Sequence, residues 1–329
     1  MVSGPPIAAP ALLAVDWGTT ALRGALLAAD GTVLAEQAAP RGLLSIEPAG
    51  WAAAFEAEFG VWRAAHPHIP ALMAGMVGSR QGWAEAPYCP CPAGLGDLAD
   101  RLLWIEPGRL AIVPGLSTER DGLPDVMRGE ETQVFGALQG LGLGLGDATL
   151  VLPGTHSKWV TVQHGRVTGF ATHMTGECYA LLRNQSILAR MLPADDSVWA
   201  PEAFDAGVAR AFEAGGLLHH LFSVRSLALF GRADGPALAS RLSGLLIGEE
   251  LRAQSLPAGA PVAVLGSAAL SWRYQRALVQ RGHPVTVVPA DAGWQGLLAV
   301  ARAAALIQDR AAPVPEGDEK RLGRPEDAT

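Results

Sequence analysis

The feature that most constrains this chain is a pattern that occurs twice. Residues 11–37 read as a strand (Ala11–Val15), a tight Asp16-Trp17-Gly18-Thr19-Thr20 loop, a second strand (Ala21–Leu27), an Asp30-Gly31 turn and a third strand. From Thr149 the same order returns: a strand to Leu152, a Pro153-Gly154-Thr155-His156-Ser157 loop, a strand over Lys158–Gln163, a His164-Gly165 turn and a strand over Val167–Thr172. Gly18 and Gly154 lie 136 residues apart, and the turn glycines Gly31 and Gly165 lie 134 apart. One glycine-threonine loop would mean little, because glycine in a turn commonly just supplies a positive φ. Two at matched places in matched hairpins imply a duplicated unit.

A chain of 329 residues is long enough for two such units, each with its own core. A hydrophobic content of 49% is that of a globular chain, and 25 basic against 32 acidic residues leave a net charge of −7. That balance offers no footprint for a nucleic-acid backbone or an anionic membrane surface. Three cysteines cannot form a disulfide framework, and Cys89 and Cys91 are too closely spaced to chelate zinc as a pair. The first fifteen residues lack a basic segment and contain Pro5, Pro6 and Pro10, so they do not read as a signal peptide. The uncharged run Ala253–Trp272 is broken by Pro257, Gly259, Pro261 and Gly266, so it does not read as a membrane span. The expectation is a soluble protein in the reducing cytoplasm, with no nucleic-acid or membrane partner; a homo-oligomer is left open.

Between the repeats, Trp51, Phe55, Phe59 and Trp62 form the stripe of an amphipathic helix over 48–65. A strand follows over Ala71–Val77, ending in Gly78-Ser79-Arg80. A short helix near Asp97–Trp104 and a strand Ala111–Val113 closing the first sheet come next, and the glycine-alternating run Gly140–Gly146 reads as a linker. After the second meander the pattern predicts helices over 176–192, 202–214, 236–255 and 270–281, strands over Val262–Leu265 and Val285–Val288, and a terminal helix over Gly293–Asp309. The Pro-rich polar tail past Ala311 reads as disordered.

Backbone N–H groups in a Gly-Thr turn can converge on phosphate oxygens, and threonine adds a hydroxyl donor. Asp16, just ahead of the first loop, could hold Mg²⁺ through water. Paired loops therefore describe either two jaws on a polyphosphate or two merely structural hairpins. Lysine occurs only at positions 158 and 320, so the folded part carries its one lysine beside the second loop, where an ammonium can follow a moving phosphoryl group. In Arg128-Gly129-Glu130-Glu131 a carboxylate could accept the proton of a substrate hydroxyl; paired glutamates at a helix start also serve simply to complement its dipole. No Gly-x-x-x-x-Gly-Lys-Ser/Thr run exists, which excludes a P-loop NTPase. His66, His68, His219 and His220 show no paired ligand spacing.

With these residues in view, the sequence resembles the sugar kinases of the actin-like, hexokinase and heat-shock-chaperone ATPase superfamily, and within it the 2-dehydro-3-deoxygalactonokinase family. The likeness runs from Val15-Asp16-Trp17-Gly18-Thr19-Thr20 to the helix after Trp294. It passes through Ala74-Gly75-Met76-Val77-Gly78-Ser79, Val126-Met127-Arg128-Gly129-Glu130-Glu131-Thr132-Gln133, Pro153-Gly154-Thr155-His156-Ser157-Lys158-Trp159, Met174-Thr175-Gly176-Glu177 and Ser243-Gly244-Leu245-Leu246-Ile247-Gly248.

The resemblance implies an α/β fold of duplicated actin-like (ribonuclease H-like) domains flanking an ATP and substrate cleft. The domains expected are 11–128, 129–292, a terminal helix 293–310 returning toward the first, and the tail 311–329. It also implies ATP with Mg²⁺, and phosphorylation of the terminal hydroxyl of a six-carbon 2-keto-3-deoxy sugar acid. By the same analogy Gly18, Thr19 and Thr20 form the first phosphate loop, Gly154, Thr155 and Lys158 the second, and Gly266 and Ser267 the turn beneath adenosine. Gly78, Ser79, Thr175 and Glu177 are expected to face the sugar acid, with Arg80 and Arg128 as candidates for its carboxylate. Related kinases carry an aspartate base after glycine where this chain has Gly129-Glu130-Glu131, so the base lies between Glu130 and Glu131, or is shared with Asp16. The competing readings are a kinase of another small sugar or polyol on the same fold and an actin-like ATP switch or filament protein. An acceptor pocket separates a kinase from the last of these.

Overall fold

The computed structural model describes residues 8–195 and 198–307. Alternating apolar residues build the opening meander of β1 (Pro10–Trp17), β2 (Leu22–Ala28) and β3 (Val33–Ala39). Helix α1 (Trp51–Ala65) lays Trp51, Phe55 and Phe59 on one face of it, close enough for the Phe59 ring to sit over the bare Cα of Gly24. Strand β4 (Ala71–Gly75) then pairs parallel with β1.

The chain continues through β5 (Tyr88–Pro90), α2 (Leu95–Ala99), β6 (Leu103–Glu106) and β7 (Leu110–Ile112). Next come β8 (Gly115–Arg120), β9 (Leu123–Met127) and α3 (Glu130–Gly140). The second meander is β10 (Ala148–Leu152), β11 (Ser157–Gln163) and β12 (Arg166–His173). It is followed by α4 (Thr175–Gln185), α5 (Pro201–Ala211), α6 (Gly216–Leu229) and α7 (Gly235–Arg252). Strand β13 (Val262–Val264), α8 (Ala268–Gln280), β14 (Val285–Val287) and α9 (Ala292–Ala303) complete the described chain.

The strand orders make the duplication explicit. The first sheet runs β3-β2-β1-β4-β7-β6 and the second β12-β11-β10-β13-β14, so in each an antiparallel meander is extended by parallel strands in the same sequence. A third sheet, β5-β8-β9, stands beside them. Helices α3 and α9 share one apolar cluster with the inner faces of both large sheets. The outer face of the first sheet is covered by α1, and that of the second by α5, α7 and α8. Where α3 and α9 cross, a Cβ on Gly136 would lie 1.7 Å from the Ala292 carbonyl oxygen, and one on Gly296 1.7 Å from that of Thr132. Only glycine permits this backbone-to-backbone contact.

Several expectations are corrected. The helix near 97–104 is shorter: α2 ends at Ala99, and Leu103–Glu106 instead forms an edge strand, so β7 does not close the first sheet. The strand from Ala71 stops at Gly75, which takes φ +95° and turns the chain into a short 3₁₀ segment over Met76–Gly78. The helix expected over 176–192 breaks at Ser186, whose hydroxyl caps a 3₁₀ turn, Ile187–Met191. Helix α6 and the third sheet were not anticipated; α6 has Leu218 and Phe222 exposed, which blurs its helical stripe. The tail 311–329 lies outside the described residues, among which no helix is long and apolar enough to cross a membrane.

Candidate active site

Alternation along β1 sends Trp17 into the core against Trp51 and turns Asp16 toward the gap between the sheets. Arg23 lies directly across from Asp16 on β2, and the two form an ion pair. The first loop is held from outside: Leu43 N–H donates to the Gly18 carbonyl at 3.0 Å, leaving Thr19 and Thr20 exposed. In the second loop Thr155 is likewise exposed, and Gly154 has open space where a Cβ would stand. Gly266 and Ser267 follow β13, with Ser267 capping α8.

A cavity of about 350 Å³ is lined by Asp16, Pro153, Gly266 and Ser267 and also by Arg23, Gln133 and Trp294, whereas Gly18, Thr19, Thr20, Gly154 and Thr155 are not among its lining residues. Arg23, Gln133 and Trp294 were not expected. Arg23 could have been found from the register of the meander, since it is the cross-strand partner of Asp16. Trp294, fixed by its Nε1–H donating to Glu36 at 2.6 Å, reaches the cavity only because α9 returns to the first sheet.

Beside the cavity two left-handed glycines meet. Gly75 (φ +95°) lies under the Trp17 carbonyl, and a Cβ there would come within 3.3 Å of Asp16 Oδ1. Gly129 (φ +104°) rests on Gly75, leaving only 3.1 Å between a hypothetical Cβ and the Gly75 Cα. This stacking carries the start of α3 to the carboxylate of Asp16. Glu130 Oε2 accepts from Arg128 N–H at 3.0 Å, and its carboxyl is half-buried within the fields of Lys158 and Asp16. Burial pushes it above the ordinary carboxylate range, against the opposing pull of the Lys158 cation. Glu131 is completely buried, with Oε2 accepting from Gly129 N–H at 2.7 Å and Oε1 without a partner. Burial, reinforced by the charge of Glu130, pushes it up to about 8.

Lys158 is 6% exposed, and its ammonium donates to the Val126 carbonyl at 3.1 Å and to Thr172 Oγ1 at 2.8 Å. Thr172 in turn donates through both N–H and hydroxyl to Asp125, so β9 is latched to β11 and β12. Two of the three ammonium hydrogens are thereby committed and one remains to donate elsewhere.

Arg128 donates to the Ala86 carbonyl at 2.8 Å and stacks 4.3 Å from the Tyr88 ring, with Nη1 against the bare face of Gly78. Its Nε and Nη1 and the hydroxyl of Ser79 are buried without a protein partner, whereas Arg80 is exposed. Thr175 and Glu177 do not join this cluster. Thr175 donates to Glu250, Glu177 pairs with His156, and Glu177 N–H donates to the Thr155 carbonyl at 3.0 Å.

Two sheets of one strand order, meeting at a cleft floored by crossing helices, make a duplicated α/β fold, and the relatives it matches are sugar-acid kinases. The chain belongs to the 2-keto-3-deoxy-galactonokinase family, whose profile matches residues 16–300. It is 34% identical over 297 residues to the 2-dehydro-3-deoxygalactonokinase of Escherichia coli K12, covering 89% of this chain and 98% of that protein. It is 38% identical over 297 residues to "Probable 2-dehydro-3-deoxygalactonokinase DgoK1" of Rhizobium meliloti, covering 88% and 96%. A crystal structure of a Sinorhizobium meliloti protein given the same kinase name provisionally superposes with a TM-score of 0.81 at 37% identity, covering 89% of this chain and 98% of that one.

Proposed function

We propose that this enzyme transfers the γ-phosphoryl of ATP to the terminal (6-) hydroxyl of 2-dehydro-3-deoxy-D-galactonate, giving the 6-phosphate. The observation that supports the choice of substrate is the Arg128 guanidinium, whose Nε and Nη1 have no hydrogen-bond partner, two residues from Glu130. A carboxylate is the partner that a guanidinium matches best in charge and geometry. A neutral polyol would leave the guanidinium charge unmatched. Gly78 lets Arg128 approach, and Arg80, at the surface, is set aside as the carboxylate partner.

Glu130 is assigned as the base. Of the two glutamates it alone keeps part of its surface open and lies in the field of Asp16, and a raised pKa suits a group that orients a hydroxyl and takes its proton late in a loose phosphoryl transfer. Lys158 acts through Glu130, opposing the rise that burial gives its pKa and docking the strand that precedes it.

Gly18, Thr19, Thr20, Gly154 and Thr155 would hold the phosphates, and Gly266 and Ser267 would support the adenosine. No group of three or more His, Cys, Asp or Glu able to hold a metal exists among the described residues. The single carboxylate of Asp16 at the cavity fits Mg²⁺, which binds through one or two carboxylates plus substrate phosphates and keeps several waters. When bound, the ion neutralises charge that develops on the phosphate oxygens.

The test is an ATP-consumption panel offering 2-keto-3-deoxy-galactonate, its gluconate epimer, glycerol and glucosamine derivatives. Turnover with the keto-deoxy acids and with neither of the others is expected. Preference for a neutral polyol would sink the reading of Arg128, and ATP hydrolysis indifferent to any acceptor would point to an ATP switch instead.

A further inference from the structure

Glu250, on α7, is 2% exposed and lies outside the cleft, yet each of its carboxylate oxygens is doubly engaged. Oε1 accepts from Ser157 Oγ and from Trp159 Nε1, both at 2.7 Å. Oε2 accepts from the Tyr274 hydroxyl at 2.7 Å and from Thr175 Oγ1. The donors come from β11, α8 and α4. Burial and the charge of Glu250 hold the Tyr274 phenol well above its ordinary pKa, so it stays a donor. A buried carboxylate saturated by four donors is a rigid hub, because charge-assisted bonds are short and each fixes the orientation of its partner.

Two of those partners grip the second phosphate loop from opposite ends. Ser157 is the last residue of the loop and the first of β11. Thr175 opens α4, whose next residue, Gly176, packs so tightly on the loop that a Cβ there would lie 2.3 Å from the Gly154 carbonyl oxygen. The residue after that bonds the Thr155 carbonyl through its N–H. Both grips therefore terminate on one side chain. We propose that Glu250 is the positioning residue of the second phosphate loop, holding the Gly154–Thr155 backbone in the geometry that receives the nucleotide phosphates. The proposal rests on the kinase reading above.

In Glu250→Gln the amide NH₂ cannot face Trp159, which has no acceptor, so it must face Tyr274 and Thr175, whose hydroxyls would have to turn. The experiment measures Mg-ADP dissociation constants by calorimetry, KM for the sugar acid, kcat and Tm for wild type, Glu250→Gln, Ser157→Ala and Thr175→Val. Expected for Glu250→Gln is a loss of about tenfold in nucleotide affinity and about tenfold or more in kcat, with sugar-acid KM held within about twofold. The two single-donor variants should each lose about threefold in nucleotide affinity, and less than additively when combined with Glu250→Gln. Unchanged nucleotide affinity in a folded Glu250→Gln, or equal worsening for both substrates, overturns the proposal by making Glu250 a general stabiliser. Should Glu250→Gln fail to fold, the single-donor variants decide by the same split. A wild-type protein that binds no Mg-ADP overturns the kinase reading itself, an outcome distinguishable from wild-type binding that the variants leave untouched.

Discussion

Glu131 offers a stability test that also separates it from Glu130. Its carboxyl titrates at about 8 in the folded chain against an ordinary value of 4.5. Between those values the folded chain holds a proton that the unfolded chain has released, so rising pH favours unfolding throughout the window. At 1.36 kcal/mol per pH unit the penalty is about 1 kcal/mol at pH 5, about 3 at pH 7 and about 4 at pH 8. Glu131→Gln removes it, because the amide mimics the protonated acid and its oxygen can still accept from Gly129 N–H. The amide nitrogen inherits the partnerless place of Oε1 and costs about 1–3 kcal/mol, independent of pH. Relative to the variant, the wild type should therefore lose about 3 kcal/mol between pH 5 and pH 8, about 5 °C in Tm for a chain of this length. Scanning fluorimetry of both proteins from pH 5 to pH 8 reads this directly. Parallel Tm curves would refute a buried neutral carboxyl at this position. Activity should separate the pair as well: Glu131→Gln stays within about tenfold of wild-type kcat, whereas Glu130→Gln loses roughly 10²–10⁴. The reverse order would move the base to Glu131.

Asp16→Asn should leave Tm within about 2 °C, since its exposed pair with Arg23 contributes little, yet lower Mg-ATP turnover by about two orders of magnitude. Near-wild-type turnover at saturating Mg²⁺ would remove Asp16 from metal binding. Lys158→Met keeps the buried stem and deletes the charge, so the base loses the cation that holds its pKa down. The acid limb of the kcat profile should then move to higher pH, and an unmoved limb would show that Lys158 does not act through Glu130.

The two meanders, their glycine turns, α1 and the lone cleft carboxylate of β1 could all be read from the chain, because each is encoded by contacts a few residues apart. Strand alternation with period 2 and a turn glycine suffice to place Asp16 and Gly154 at equivalent loops. The choice between Glu130 and Glu131 could not be read that way. Both follow Gly129 on the same first turn, and what divides them is that Glu131 is fully enclosed by the core while Glu130 keeps part of its surface open.

Tertiary structure decided the rest, for reasons of distance along the chain. Gly75 and Gly129 are unremarkable glycines until the first sheet and α3 are stacked, and only then does Glu130 come within the field of Asp16. Thr175 was assigned to the sugar acid from its place in a motif, but Glu250, 75 residues away, claims its hydroxyl. Lys158 finds Thr172 as its cross-strand partner within the second meander, but its bond to the Val126 carbonyl exists only because β9 of the third sheet docks there. Local pattern determines which elements form and which loops face the cleft; which polar groups stay unspent there depends on long-range partners that no local pattern carries.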